Sequence, residues 1–321
     1  MPEKLLSISI AAYNAEKTLE KAVSSCIVND NKQLEKLDII IVNDGSKDGT
    51  HELAHNLKDK FPCVRVIDKI NGGYGSTVNA AIKIAEGKYF KLLDADDWYD
   101  TDNLLKLLHE LEKTDSDMVV TSYTEVRTKR KDIILYRTQK EICDNLEELS
   151  EHFSMHAVMY KTEILRNNNI RLQEGISYTD TEFVLYPLVY VKTISFYPYN
   201  IYQYSLYGEG QSVSINSRIK HIADAEMIVN GLEQYFSNIN DDNIYNVAKN
   251  KMVDASKFYI NSLLLANNKE SKKRLKEFDY HLKKKWSYVY KGCTNRTIKF
   301  LRITNYLGYG LCGLILRRRL K

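Results

Sequence analysis

The chain has 321 residues, 44% of them hydrophobic and 27% charged, which is ordinary globular composition and enough length for two domains or one large domain with an appendage. A net charge of +4, spread without a dense basic stripe interleaved with aromatics, argues against nucleic acid as a partner. The five cysteines have no CxxC pair, and MPEKLLSISI lacks a basic region followed by a long apolar stretch. Buried, reduced thiols and no signal peptide are therefore expected, in a protein kept in the cytoplasm.

From residue 5 to about 126, β-rich runs alternate with helical periodicity. LLSISIAAY predicts a first strand, and Leu19, Ala22, Val23, Cys26 and Ile27 recur at helical spacing behind Asn14, an N-cap candidate. LDIIIVND is nearly all apolar, as a parallel strand covered on both faces must be. VRVIDK, YFKLLDAD and DMVVTSYTEV read as three more strands, with helices near 75–86 and 102–113 between them. That order predicts a doubly wound, mostly parallel α/β sheet. Residues 127–138 carry TKRKD between apolar runs, a hairpin tip; a Tyr-rich mixed region follows to about 215, and the chain from 216 is helical and lysine-rich.

Open sheets of this kind bind ligands beyond the carboxyl ends of their strands. Three polar clusters fall there: Tyr13-Asn14 after the first strand, Asn43-Asp44-Gly45-Ser46 after the second, and Asp94-Ala95-Asp96-Asp97 after the fourth. Asp94 and Asp96 are hard-oxygen ligands at short spacing, suited to Mg²⁺ or Mn²⁺. An EF-hand loop counted from Asp94 fails, because Tyr99 stands where Gly is required and Leu105 where the bidentate Glu belongs. Asp100 and Asp102 precede DNLLKLLHELEK and are assigned to its helix start.

INGGYGSTVNAAI is a glycine-rich turn opening a helix, a geometry that can present amides to a phosphate, yet it matches neither the dinucleotide fingerprint nor a Walker loop. HELAH, residues 51–55, matches HExxH, but Leu53, Ala54, Leu57 and Phe61 share one helical face and leave His51 and His55 toward solvent. The match is read as coincidence, with a zinc peptidase as a minor alternative. In YTDTEF, Asp180 and Glu182 begin another helix, where an acid pair is common; a general base would have to be a carboxylate within reach of an acceptor hydroxyl.

As a set, AAYNAEKTLEKAVSS, IIIVNDGSKDGT, NGGYGSTVNAAI and FKLLDADDWYD, followed by TDTEF and GEGQSVS, resemble the family 2 glycosyltransferases of GT-A fold over about residues 5–215. The resemblance implies a metal-dependent, inverting transfer from a UDP-sugar, hexosyl or N-acetylhexosaminyl, to a surface glycan, glycolipid or teichoic-acid-like acceptor. It divides the chain into a nucleotide-sugar half (1–126), an acceptor half (127–215) and a C-terminal helical region (216–321). By position, Ala12, Tyr13 and Asn14 would line the nucleoside pocket and Asp44 would meet the base. Gly73, Ser76, Thr77 and Asn79 would lie near the donor, Asp94 and Ala95 at the ribose or metal, and Asp96 on Mn²⁺ or Mg²⁺. Asp180 would be the catalytic base, and Gln211 and Ser212 would belong to a segment closing over the donor.

Three departures stand out: Asn43 replaces the first acid of the common VDDGS, Val78 a common Arg, and Thr179 the Glu that usually precedes the base. A GT-A protein that binds nucleotide and glycan without catalysis is the alternative of a different class.

Residues 298–316 approach spanning length, but Lys299, Arg302 and Asn305 interrupt them. With Arg317, Arg318, Arg319 and Lys321 behind, the segment fits an interfacial helix on an anionic membrane at the inner face, near a lipid-linked acceptor. Docking on the same protein or on a sister subunit of a homo-oligomer is the equal alternative.

Overall fold

The computed structural model describes residues 3–143, 152–206, 214–237 and 242–320. The chain forms two compact units, Met1–Glu209 and Gly210–Lys321.

The first unit is built on a sheet of ten strands among the described residues: β1 (Leu6–Ala12), β2 (Leu37–Asn43), β3 (Val64–Asp68), β4 (Tyr89–Asp94), β5 (Trp98–Tyr99), β6 (Met118–Val126), β7 (Lys131–Ile134), β8 (Glu141–Cys143), β9 (Val158–Lys161) and β10 (Ile194–Ser205). Helices α1 (Leu19–Ser24), α2 (Asn31–Leu34), α3 (Thr50–Lys60), α4 (Tyr74–Ile84), α5 (Thr101–Leu111), α6 (Thr162–Asn167) and α7 (Asp180–Leu185) connect or flank these strands. The strand order is β3-β2-β1-β4-β9-β6-β10-β5. Strands β1 to β4 are mutually parallel, while β9 runs antiparallel to both β4 and β6. Every residue of β2 is buried, which explains why that run is apolar without alternation.

This order places the site. The chain leaves β1 toward β2 and β3, then crosses back to lay β4 on the other side of β1. Ala12 pairs with Asn43 on one flank and Ala11 with Asp94 on the other. A sheet whose connections diverge in this way opens a crevice at the carboxyl ends of the diverging strands. The three polar clusters sit there, as the strand reading expected.

Two local expectations hold and one is corrected. Arg127–Arg130 turn between β6 and β7, and the Asp100 side chain caps α5 by accepting from the Asn103 amide at 2.9 Å. Asn14 is not the cap of α1, which begins at Leu19 behind Thr18. Asn14 instead has φ +50°, and its Oδ1 accepts from the Lys47 amide at 2.8 Å, tying the end of β1 to the loop after β2. Asn tolerates this left-handed region better than most residues, so an apparent cap marks a turn.

The second unit is helical: α8 (Ile215–Lys220), α9 (Ile222–Phe236), α10 (Asp242–Ala266), α11 (Lys269–Lys285), α12 (Ser287–Gly292), α13 (Arg296–Ile303) and α14 (Tyr309–Arg319). The expected single interfacial helix over 298–316 is two helices, broken where Asn305 and Tyr306 take positive φ. One side of the pair packs inward. Tyr309 Oη donates to the Leu263 carbonyl of α10, and Arg302 forms an ion pair with Asp279 at 2.6 Å. No helix among the described residues is long and apolar enough to cross a membrane.

Candidate active site

Asp94 ends β4 in the crevice. Its Oδ1 is buried and has no hydrogen-bond partner among the described residues, while the Tyr74 hydroxyl lies against the same carboxyl. A partnerless anionic oxygen in a dry site is costly unless a cation completes it. Burial, and then the charge of Asp96, push the Asp94 carboxyl well above the ordinary carboxylate range. Asp96 is exposed at the tip of the turn and Asp97 is buried.

The turn is braced from β10. Tyr202 Oη donates to Asp97 Oδ2 at 2.6 Å and accepts from the Asp94 amide at 3.1 Å, while the Ser205 amide donates to Asp97 Oδ1 at 2.6 Å. Burial and the charges of Asp94 and Asp96 also raise Asp97. His156 joins from the segment before β9, its ring stacked on Tyr204 at 4.2 Å and edge-on to Tyr202 at 4.6 Å, with Nδ1 2.6 Å from Ser154 Oγ. Asp94, Asp97 and His156 each offer a ligand atom, all within 4.8 Å of one another. The orphaned Asp94 oxygen and the carboxylates around it fit a divalent cation.

Asp180, the first residue of α7, comes close enough for its charge to contribute to raising Asp94. The sheet and α7 thus bring the expected base to the expected acidic turn, from 86 residues further along the chain. Glu182 has a packing role: it is buried, and its carboxylate accepts from the Gln173 amide at 2.8 Å and from Tyr186 Oη at 2.9 Å.

The glycine loop packs closely against the protein itself. Gly73 has φ +79°, and a Cβ on Gly75 would stand 2.0 Å from the Gln173 carbonyl oxygen, so these glycines permit close packing against residues 172–175. Ser76 Oγ donates to the Gly73 carbonyl at 2.7 Å and Thr77 Oγ1 to the Tyr74 carbonyl at 2.7 Å, both buried. Asn79 clamps the same segment, with Nδ2 on the Leu172 carbonyl and Oδ1 on the Leu172 amide, both at 2.9 Å. Small polar residues at a helix start mark a close backbone approach as readily as a phosphate cradle, and here the approach is intramolecular.

Asp44 is likewise committed within the protein. Buried, it accepts from the Gly72 and Gly73 amides at 2.9 and 2.8 Å and pairs with Lys69 at 2.7 Å. Lys69 also reaches Ser76 Oγ at 2.8 Å, so a cation serves this loop although Val78 carries none. Ala12 is buried at the end of β1, whereas Tyr13, the residue that follows it, is half exposed. Ala95 is buried beneath the acidic turn. Gln211 and Ser212 lie outside the described residues.

Residues 7–168, just over half the chain, match the family described as glycosyl transferase family 2. The chain belongs to glycosyltransferase family 2. Among curated relatives, the uncharacterized glycosyltransferase EpsJ of Bacillus subtilis (strain 168) is 27% identical over 55% of this chain and 53% of its own length. The poly(ribitol-phosphate) beta-glucosyltransferase of Bacillus spizizenii is 25% identical over 65% of this chain and 33% of its own. The match thus spans about half or less of these two relatives. Among solved structures, residues 1–349 of S. aureus TarS in complex with UDP-GlcNAc superpose with a TM-score of 0.64 at 17% identity, covering 94% of this chain and 92% of that one. This likeness shows the GT-A fold with C-terminal helices.

Proposed function

We propose that this family 2 chain is an inverting enzyme that transfers a sugar from a UDP-sugar to a hydroxyl of a surface glycan, glycolipid or teichoic-acid-like polymer. The observation that carries the reading is the convergence of Asp180 with the Asp94-Asp96-Asp97 turn at the switch point of the sheet. The UDP-GlcNAc bound to TarS and the poly(ribitol-phosphate) activity named for the B. spizizenii relative support the donor and acceptor classes.

Asp94, with its partnerless Oδ1, and Asp96, exposed at the tip, would hold Mn²⁺ or Mg²⁺, with Asp97 and His156 offering further ligand atoms. A divalent ion there supplies charge neutralisation for the departing diphosphate. Tyr13 and Asn14 would flank the nucleoside. The Asp180 carboxylate would take the proton from the acceptor hydroxyl as that oxygen attacks the anomeric carbon from the face opposite the diphosphate. Tyr202, by fixing both Asp97 and the Asp94 amide, would position the turn.

The outward side of α13 and α14 leaves Ile303, Leu307, Leu311 and Leu314 exposed beside the exposed Arg318 and Arg319, while Arg317 turns onto the Leu265 carbonyl. That pairing of apolar and basic groups supports peripheral attachment to an anionic membrane, where a lipid-linked acceptor would be met.

The test is UDP release with Mn²⁺ over a panel of UDP-sugars, on the wild type, Asp96→Asn and Asp180→Asn. Release from one donor, lost in Asp96→Asn and reduced at least about 100-fold in Asp180→Asn, is the expected result. Release equal in all three proteins would refute the assignment.

A further inference from the structure

Sugar transfer leaves the HELAH motif without a role, and the structure gives it a third member. His51 and His55, one turn apart on α3, lie beside Asp68, the last residue of β3. His51 Nδ1 is 2.8 Å from Asp68 Oδ1, and His55 Nε2 is 2.8 Å from Asp68 Oδ2. The two rings are 4.6 Å apart, and one ligand atom from each residue lies within 4.8 Å of the others. All three side chains are open to solvent, at 61%, 40% and 38% exposure.

We infer that His51, His55 and Asp68 form a second metal site, for Zn²⁺ or a similar borderline ion, separate in chemistry from the acidic turn. Two imidazoles and one carboxylate are a tetrahedral zinc set with a fourth position for water. Zinc bonds of about 2.0–2.1 Å place donor atoms about 3.3 Å apart, so the 2.8 Å histidine–carboxylate distances open slightly and the ring nitrogens, within 4.8 Å of each other, draw toward that spacing, an adjustment exposed side chains can make. On binding, the nitrogens facing Asp68 turn lone pairs to the ion, and each neutral ring carries its proton on the other nitrogen.

The carboxylate is already oriented. Asn43 Nδ2 donates to Asp68 Oδ1 at 2.8 Å, and Asn43 Oδ1 accepts from the Ser46 amide at 3.2 Å. Such outer partners fix a ligating group and are part of a metal site's affinity. Here they give a role to the residue that departs from the family's first acid: an Asp at position 43 could not donate to Asp68. Two imidazoles favour a borderline ion such as Zn²⁺, whereas the acidic turn, with one imidazole beside several carboxylates, is richer in oxygen and better suited to Mg²⁺ or Mn²⁺. The ion would clip α3 to the end of β3, next to the Asp44 loop.

The test uses the full, untagged chain stripped of metal, titrated with Zn²⁺ against a chromophoric chelator in excess Mg²⁺. One equivalent of zinc binding, weakened at least tenfold in both His51→Gln and His55→Gln and unchanged in Asp94→Asn, is expected. Co²⁺ should give the visible absorption of a tetrahedral site in the wild type and lose it in both histidine variants. Equal zinc affinity in the histidine variants, or loss confined to Asp94→Asn, would overturn the inference.

Discussion

Replacing Asp94 by Asn should stabilise the metal-free protein at alkaline pH while removing its response to metal. The carboxyl is lifted from 3.8 to about 7, by burial first and then by the charge of Asp96. Between those values the folded state keeps a proton that the unfolded chain has released, so stability falls as pH rises through the window and the full penalty applies above it. At about 1.4 kcal/mol per pKa unit the penalty has an upper bound of about 4 kcal/mol, and sharing of the repulsion with Asp96 and Asp97 brings it to roughly 2–4 kcal/mol. Urea denaturation in EDTA should therefore show Asp94→Asn more stable than wild type by roughly that amount at pH 8, shrinking to about 1–2 kcal/mol at pH 5. Added Mn²⁺ should stabilise the wild type and leave the variant unmoved. A variant whose stability differs from wild type by the same amount at both pH values, or that responds equally to Mn²⁺, would refute the reading of Asp94 as a buried, cation-completed carboxylate.

Tyr202→Phe removes the hydroxyl that holds both Asp97 and the Asp94 amide. A loss of about 1–3 kcal/mol in denaturation and weaker Mn²⁺-dependent UDP binding are expected, and unchanged values in both would contradict the bracing role. Gly75→Ala drives a Cβ to within 2.0 Å of the Gln173 carbonyl oxygen, so a loss of at least about 2 kcal/mol is expected, checked by thermal melting. Leu311→Ser with Leu314→Ser, both exposed on α14, should reduce cosedimentation with anionic vesicles while leaving the melting temperature within a few degrees. Vesicle binding equal to wild type would sink peripheral attachment through this face.

The parallel core was legible in the sequence because strands buried on both faces must be apolar with little alternation, as the run 39–42 of the fully buried second strand is. The acidic turn was legible for a related reason: four residues hold three carboxylates immediately behind such a run, and few packing needs explain that. What could not be read was commitment. Asp44, Ser76, Thr77 and Asn79 have the residue types of ligand contacts, yet each is hydrogen-bonded within the protein, Ser76 and Thr77 to carbonyls three residues back and Asp44 and Asn79 through long-range contacts to the loop 69–79 and the segment 172–174.

The converse also occurred. His156 had no local signal, since SMHAVMY reads as an ordinary lead into a strand, and only the insertion of β9 between β4 and β6 brings it to Asp94. Asp97 was visible as the third acid of the turn, but its partners Tyr202 and Ser205 lie more than a hundred residues away. Asp68 looked like the polar end of a strand. The helical projection correctly turned His51 and His55 outward, yet it carried no information about the neighbouring strand end that meets them there.

The central claim is that the crevice at the ends of β1 and β4 binds a nucleoside diphosphate through a cation on the acidic turn. Titration calorimetry of UDP into the metal-free protein, with and without Mn²⁺, tests it most directly, with Asp94→Asn as the control. The expected result is one equivalent of UDP bound only with Mn²⁺, and lost in Asp94→Asn. UDP binding of equal strength without metal, or none under either condition, would contradict the account.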